Sequence, residues 1–145
     1  MTVRITRPAH VSGMPETKRL RSRATRLLRE IGRARAELSI ALVDDAEIAE
    51  LNGAHRGKHQ ETDVLSFSLL EGEHSEHRGA MLGDVVIGFE TAARRARAAH
   101  RSFDDEVFRL LIHGTLHLLG WDHQIDADER AMRAEERRLW RVIRS

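Results

Sequence analysis

Residues 113–123 read His-Gly-Thr-Leu-His-Leu-Leu-Gly-Trp-Asp-His, which places histidines at 113, 117 and 123 in the spacing H-x3-H-x5-H. In a helix, residues four apart share a face, so His113 and His117 point the same way, one turn apart. Gly120 gives the chain a positive-φ exit from that helix, and the turn can bring His123 back toward the same point. Three neutral imidazoles converging on one divalent ion, with a fourth position open, is how a catalytic zinc site is built. The competing explanation is a histidine-rich helix end stabilised by the helix dipole. It leaves the apolar run Leu116, Leu118 and Leu119 with no particular purpose.

The spacing equals that of the long zinc-protease signature H-E-x-x-H-x-x-G-x-x-H, including its glycine. One position differs: the glutamate that serves as general base there is Gly114 here. The metal scaffold is expected and the protease's base is absent. Protease chemistry would need a carboxylate from elsewhere, and Asp122, beside the third histidine, is a candidate for orienting a ligand imidazole from behind.

At 145 residues the chain is expected to form one domain, residues 1–145, with a core large enough to stand without disulfides. There is no cysteine, so any metal must be held by nitrogen and oxygen. Absence of cysteine fits a reducing cytoplasm. The first twelve residues lack the apolar core of a signal peptide, and no apolar stretch approaches the length of a membrane span. Net charge is +1 but uneven: residues 1–35 hold ten Lys/Arg against Glu16 and Glu30, and the rest hold 14 against 21 acids. Only Lys18 and Lys58 are lysines; the other 22 cations are arginine. Arginine suits phosphate geometry, although a GC-rich genome would encode the same bias.

Val3-Arg4-Ile5-Thr6 alternates as a short strand. Pro15 suits a first helical position, and Leu20, Ala24, Leu27, Leu28 and Ile31 then recur at helical spacing until Gly32. The outer face of this helix carries Arg19, Arg23 and Arg26. It reads as a solvated face, with contact to RNA as the alternative. Glu37–Val43 alternates as a strand. Asp44 and Glu47 form a capping pair for a short helix over Ala46–Asn52, and residues 53–62 read as a polar loop. Val64–Leu69 and Asp84–Gly88 read as strands, with the glycine-flanked polar segment 71–80 between them as a loop. Thr91–His100 reads as a helix. Ser102 and Asp105 resemble another capping pair, for a helix that runs through Phe108, Leu111 and Ile112 to the histidines. Asp126–Arg144 closes the chain as a helix with Met132, Leu139 and Ile143 inward. Intermixed strands and helices predict an α+β fold with a small mixed sheet of four strands and about five helices.

A phosphodiester substrate needs cations to bind it and to offset charge in the transition state. Asn52-Gly-Ala-His-Arg-Gly-Lys58 supplies Arg56 and Lys58 among small residues. Each cation alone also reads as an exposed loop charge. His55 and His59 lie in the same loop and could aid proton transfer, with a plain surface position as the commoner reading; His74 receives no role.

Together these segments resemble the YbeY family of bacterial ribosomal-RNA maturation factors, which are metal-dependent endoribonucleases. Leu51-Asn52 through Arg56-Gly57-Lys58 resembles the family's arginine loop. Thr62-Asp-Val-Leu-Ser-Phe67 and Leu82-Gly-Asp-Val-Val-Ile87 look like its two internal strand motifs. His113–His123 matches its metal signature at each histidine and glycine, and Ala131-Met-Arg-Ala-Glu-Glu136 is similar to its closing helix. The resemblance implies one Zn2+ per chain on His113, His117 and His123, with Arg56 in the cleft engaging RNA phosphate as the catalytic cation. It implies a zincin-like topology and single-strand-specific cleavage. The implied role is 16S rRNA 3′-end maturation and ribosome quality control, with ribosomal RNA and the small ribosomal subunit as cytoplasmic partners, and no DNA or membrane expected. The chain departs from the family pattern at His59-Gln60-Glu61, which stands where an acidic-aromatic-proline segment is usual, at Ser68 and at Trp121. Two other readings stay open. One is a metallopeptidase with a displaced base such as Glu61 or Glu90. The other is a ribosome-associated protein whose structural zinc takes a fourth ligand such as His77 or Asp122.

Overall fold

The alternation of Glu37–Val43 makes a strand with Leu38, Ile40 and Leu42 on its inner face, and the sheet grows around it. A computed structural model describes residues 2–8, 17–56, 64–68, 81–121 and 126–144. Its elements run β1 (Thr2–Thr6), α1 (Thr17–Glu30), β2 (Glu37–Val43), α2 (Asp45–Arg56), β3 (Val64–Ser68), β4 (Met81–Gly88), α3 (Phe89–Ala98), α4 (Phe103–Leu118) and α5 (Asp126–Ile143). The sheet order is β1-β2-β4-β3, with β1, β2 and β4 parallel and β3 antiparallel to β4. The expected mixed four-stranded α+β architecture with five helices is therefore present.

Because side chains alternate across a strand, the sheet has two apolar faces. One carries Leu38, Ile40, Leu42, Val85 and Ile87 and packs into the main core with Leu20, Ala24, Leu27 and Leu28 of α1, Phe108, Leu111 and Leu116 of α4, and Met132, Leu139 and Ile143 of α5. The other face carries Val43, Leu65 and Val86 and is met by Ile48 and Leu51 of α2. Among the described residues no helix is long and apolar enough to cross a membrane.

The capping expectations hold at two helix starts. Asp44 Oδ1 accepts from Glu47 N at 2.8 Å, and Ser102 Oγ accepts from Asp105 N at 3.1 Å. Several boundaries differ from the sequence reading: β4 begins at Met81 rather than Asp84, and α3 ends at Ala98 rather than His100. Helix α2 continues to Arg56 rather than stopping at Asn52, because the packing of Ile48 and Leu51 carries it past the weak helix former Gly53. Helix α3 begins at Phe89 rather than Thr91, because Phe89 is itself buried. Pro15, Leu69 and the loop 71–80 lie outside the described residues.

The arginine face of α1 needs correction. Arg23 is not solvated: it is 3% exposed. Its Nη2 donates to Asp105 Oδ1 and to the Arg144 carbonyl, both at 2.9 Å. Its guanidinium also lies 5.0 Å from the Phe108 ring centroid. Arg26 donates to the carbonyls of Ile143 at 3.0 Å and Val142 at 3.2 Å. The last carbonyls of a helix have no partner within it, and here α1 supplies them for α5. These arginines are structural fasteners, with their long stems covering apolar surface.

Candidate metal centre

Helix α4 presents the histidine pair. It starts on Ser102, carries Asp104, Asp105 and Glu106 in its first turn, where the helix dipole favours acids, and buries Val107, Phe108, Leu110, Leu111, Ile112, Leu116 and Leu118. Its end is built as the sequence predicts. Gly120 has φ of 94°, its N–H reaches the His117 carbonyl at 3.0 Å, and Trp121 N reaches the Leu116 carbonyl at 3.0 Å. This is the Schellman arrangement, which only a residue at ease with positive φ closes without strain.

Gly114 is where α4 comes closest to the sheet. A Cβ at this position would lie 2.8 Å from Val85 Cγ1, 3.0 Å from Ser66 Oγ and 3.1 Å from Val64 Cγ2. Ser66 Oγ also donates to the Gly114 carbonyl at 2.8 Å. The position that carries the general base in the protease signature is therefore pressed against β3 and β4, with no room for a side chain.

On the other side of α4 the rings of His113 and His117 meet edge to face, with centroids 4.6 Å apart. Their Nε2 atoms are 3.1 Å apart. His117 Nδ1 lies 3.0 Å from the Trp121 carbonyl oxygen, and His113 Nδ1 lies 3.0 Å from Glu136 Oε1. A carbonyl and a carboxylate accept hydrogen bonds, so both Nδ1 atoms carry the proton. In neutral rings each Nε2 is then a bare lone pair, and two lone pairs facing each other repel. A shared proton or a cation between them relieves that repulsion. Two nitrogens about 2.0–2.1 Å from one zinc in tetrahedral geometry stand roughly 3.3 Å apart, so the observed spacing fits a shared ion with little adjustment.

Among the described residues no group of three His, Cys, Asp or Glu side chains is gathered for a metal. The expected third ligand, His123, lies outside the described residues, as do Glu61, His77, Asp122, Lys58, His59 and His74. Arg56 is the last residue of α2 rather than a loop residue; its side chain and that of His55 lie outside the description. Glu90, the other candidate displaced base, accepts from Asp45 N at 2.8 Å and so caps the start of α2.

Glu136 is the site residue that sequence reasoning left unassigned, Asp122 having been the candidate for its role. A signal existed. Met132, Leu139 and Ile143 mark the inward stripe of α5, and Glu136 falls on that stripe, four residues after Met132 and three before Leu139. A carboxylate in phase with a buried stripe needs a partner, and His113 is that partner.

The sequence profile described as Endoribonuclease YbeY matches residues 10–144. A protein of Anaeromyxobacter sp. (strain Fw109-5) named Endoribonuclease YbeY is 50% identical over 142 residues, covering 98% of this chain and 72% of the relative. One of the same name from Syntrophotalea carbinolica is 43% identical over 123 residues, covering 83% of this chain and 82% of the relative. A solution structure of a Thermotoga maritima protein superposes with a TM-score of 0.61 at 24% identity, covering 98% of this chain and 91% of that one, a likeness of fold. With that profile over residues 10–144 and relatives at up to 50% identity, the chain belongs to the YbeY endoribonuclease family.

Proposed function

We propose that this protein is a zinc-dependent endoribonuclease that cleaves single-stranded RNA, with the 3′ end of 16S rRNA on the small ribosomal subunit in the cytoplasm as its substrate. The observation that carries the reading is the pair of Nε2 atoms 3.1 Å apart, each aimed by an Nδ1 bonded to a fixed acceptor. The name shared by the curated relatives supports the substrate class.

His113, His117 and His123 would hold one zinc ion. The chemistry that zinc supplies in such a site is polarisation of a phosphoryl oxygen or activation of water. Glu136 and the Trp121 carbonyl keep the two helical imidazoles in the ligating tautomer. Arg56, at the end of α2, meets the scissile phosphate and offsets the charge that develops on it. A peptidase with Glu90 as its displaced base loses support, since Glu90 caps α2.

The test is cleavage of an RNA with a duplex body and a single-stranded 3′ tail. Wild type, metal-stripped wild type, His117→Ala and Arg56→Glu are compared. Cleavage confined to the tail, and abolished by stripping and by His117→Ala, is expected. Activity that survives stripping would refute a metal-dependent nuclease. A zinc-loaded protein that leaves the RNA intact would favour a structural metal.

A further inference from the structure

Beside the histidine pair, on the face shared by α4 and α5, lies a cavity of about 410 Å³ lined by Arg109, Ile112, Arg133, Glu136, Arg137 and Trp140. Its lining carries three guanidinium groups against one carboxylate, and that carboxylate is bonded to His113 Nδ1. Arg137 has no hydrogen bond or ion pair among the described residues. Arg133 pairs with Glu129 at 2.6 Å, but its side chain is 67% exposed, and an exposed pair of this kind exchanges readily for a better anion. Arg109 lies over Trp140, 5.8 Å from the ring centroid. A second, smaller cavity of about 120 Å³ shares Arg133 and Glu136 and reaches His113, so the basic cavity is continuous with the wall of the metal centre.

We propose that this cavity holds one nucleotide of a single-stranded RNA, its phosphate between Arg133 and Arg137 and its base against Trp140. Planar guanidinium groups match phosphate geometry, indole offers a sequence-tolerant surface for a base, and the volume is that of a small-molecule site. Net positive lining disfavours a basic peptide. The proposal depends on the ribonuclease reading only for the strand to which the nucleotide belongs.

The test titrates the metal-loaded protein with uridine 5′-monophosphate, which has no phosphodiester to cleave, and follows the indole N–H resonance of Trp140, assigned with Trp140→Phe. A saturable shift that is lost in Arg137→Glu and kept in Arg97→Glu, a control on α3, is expected. No shift at millimolar nucleotide, an equal shift in Arg137→Glu, or an equal response to inorganic phosphate overturns the proposal. With the tailed RNA, Arg133→Glu combined with Arg137→Glu is expected to raise KM about tenfold and to lower the salt slope of binding by roughly 0.7 per lost phosphate contact. An unchanged KM and slope overturn it as well. Uncleaved RNA with an intact Trp140 response refutes the ribonuclease reading and leaves the nucleotide site standing. Cleavage with a silent Trp140 does the reverse.

Discussion

Glu136 Oε1 lies 3.0 Å from His113 Nδ1, so a carboxylate on α5 sets the tautomer of a histidine on α4. The hydrogen bond leaves Nε2 as the nitrogen that would ligate a cation in the proposed centre. Glu136→Ala is therefore expected to weaken zinc binding about 10- to 100-fold, read by competition with a chromogenic chelator. Circular dichroism should show an intact fold. Unchanged affinity would mean that Glu136 orients nothing.

Gly114→Ala is expected to destabilise the fold by about 1–3 kcal/mol, because the new methyl overlaps Val85 Cγ1. Urea unfolding measures it. Val85→Ala in the same chain should recover part of the loss, since the closest of the three approaches is relieved. Additive destabilisation by the two changes would contradict the packing described.

Arg23→Ala is expected to cost about 2–3 kcal/mol, from lost packing on Phe108 and from the Asp104 and Arg144 carbonyls left short of a donor. Arg29→Ala, exposed on the same helix, should stay within about 0.5 kcal/mol of wild type. Equal effects would return α1 to a uniformly solvated arginine face.

Glu135 accepts two hydrogen bonds from Arg138, at 2.6 and 3.1 Å. That bonding holds its carboxyl below the usual glutamate value against an opposing push from burial. A depressed folded value contributes stability above the unfolded value and loses it as pH falls through the folded one. The stability difference between wild type and Glu135→Gln should thus be present at neutral pH and vanish in acid, below the ordinary glutamate range. The pair is partly exposed, so the difference should be less than about 1 kcal/mol and shrink in high salt. A difference that grows on acidification would reverse the sign.

His100 follows the end of α3 with φ of 56°, and Arg101 N reaches the Ala96 carbonyl at 2.9 Å. This is the helix-ending position that glycine occupies at 120. His100→Gly should stabilise the protein by about 0.5 kcal/mol, the left-handed backbone cost less the extra chain entropy of glycine. A lower midpoint in thermal unfolding would show that the imidazole contributes something the backbone does not.

Local chemistry was legible in the sequence wherever one residue decides the outcome. Ser102 and Asp44 announce helix starts, Gly120 announces the end of α4, and the two helical histidines four apart announce a shared face. Long-range pairing was not legible. Nothing near Arg23 in the chain shows that Asp105 and the Arg144 carbonyl await it, so its charge reads as solvated. Nothing near Gly114 shows Val85 approaching, so its lack of a side chain reads as a missing base rather than as a packing requirement. Glu136 lay between these cases: its phase on α5 was visible, and its partner on α4 was not.

The bonds from Arg23 and Arg26 to the carbonyls of residues 142–144 bear on the order in which the molecule is made. A ribosome delivers α1 early and α5 last, more than a hundred residues later. Until α5 emerges, Arg23 lacks one of its three acceptors, the Arg144 carbonyl, and Phe108 lacks the Trp140 ring that packs against it. Glu136 arrives on the same late helix. The nascent chain therefore displays His113 before it can aim it, and the histidine pair is complete only once the last helix has docked.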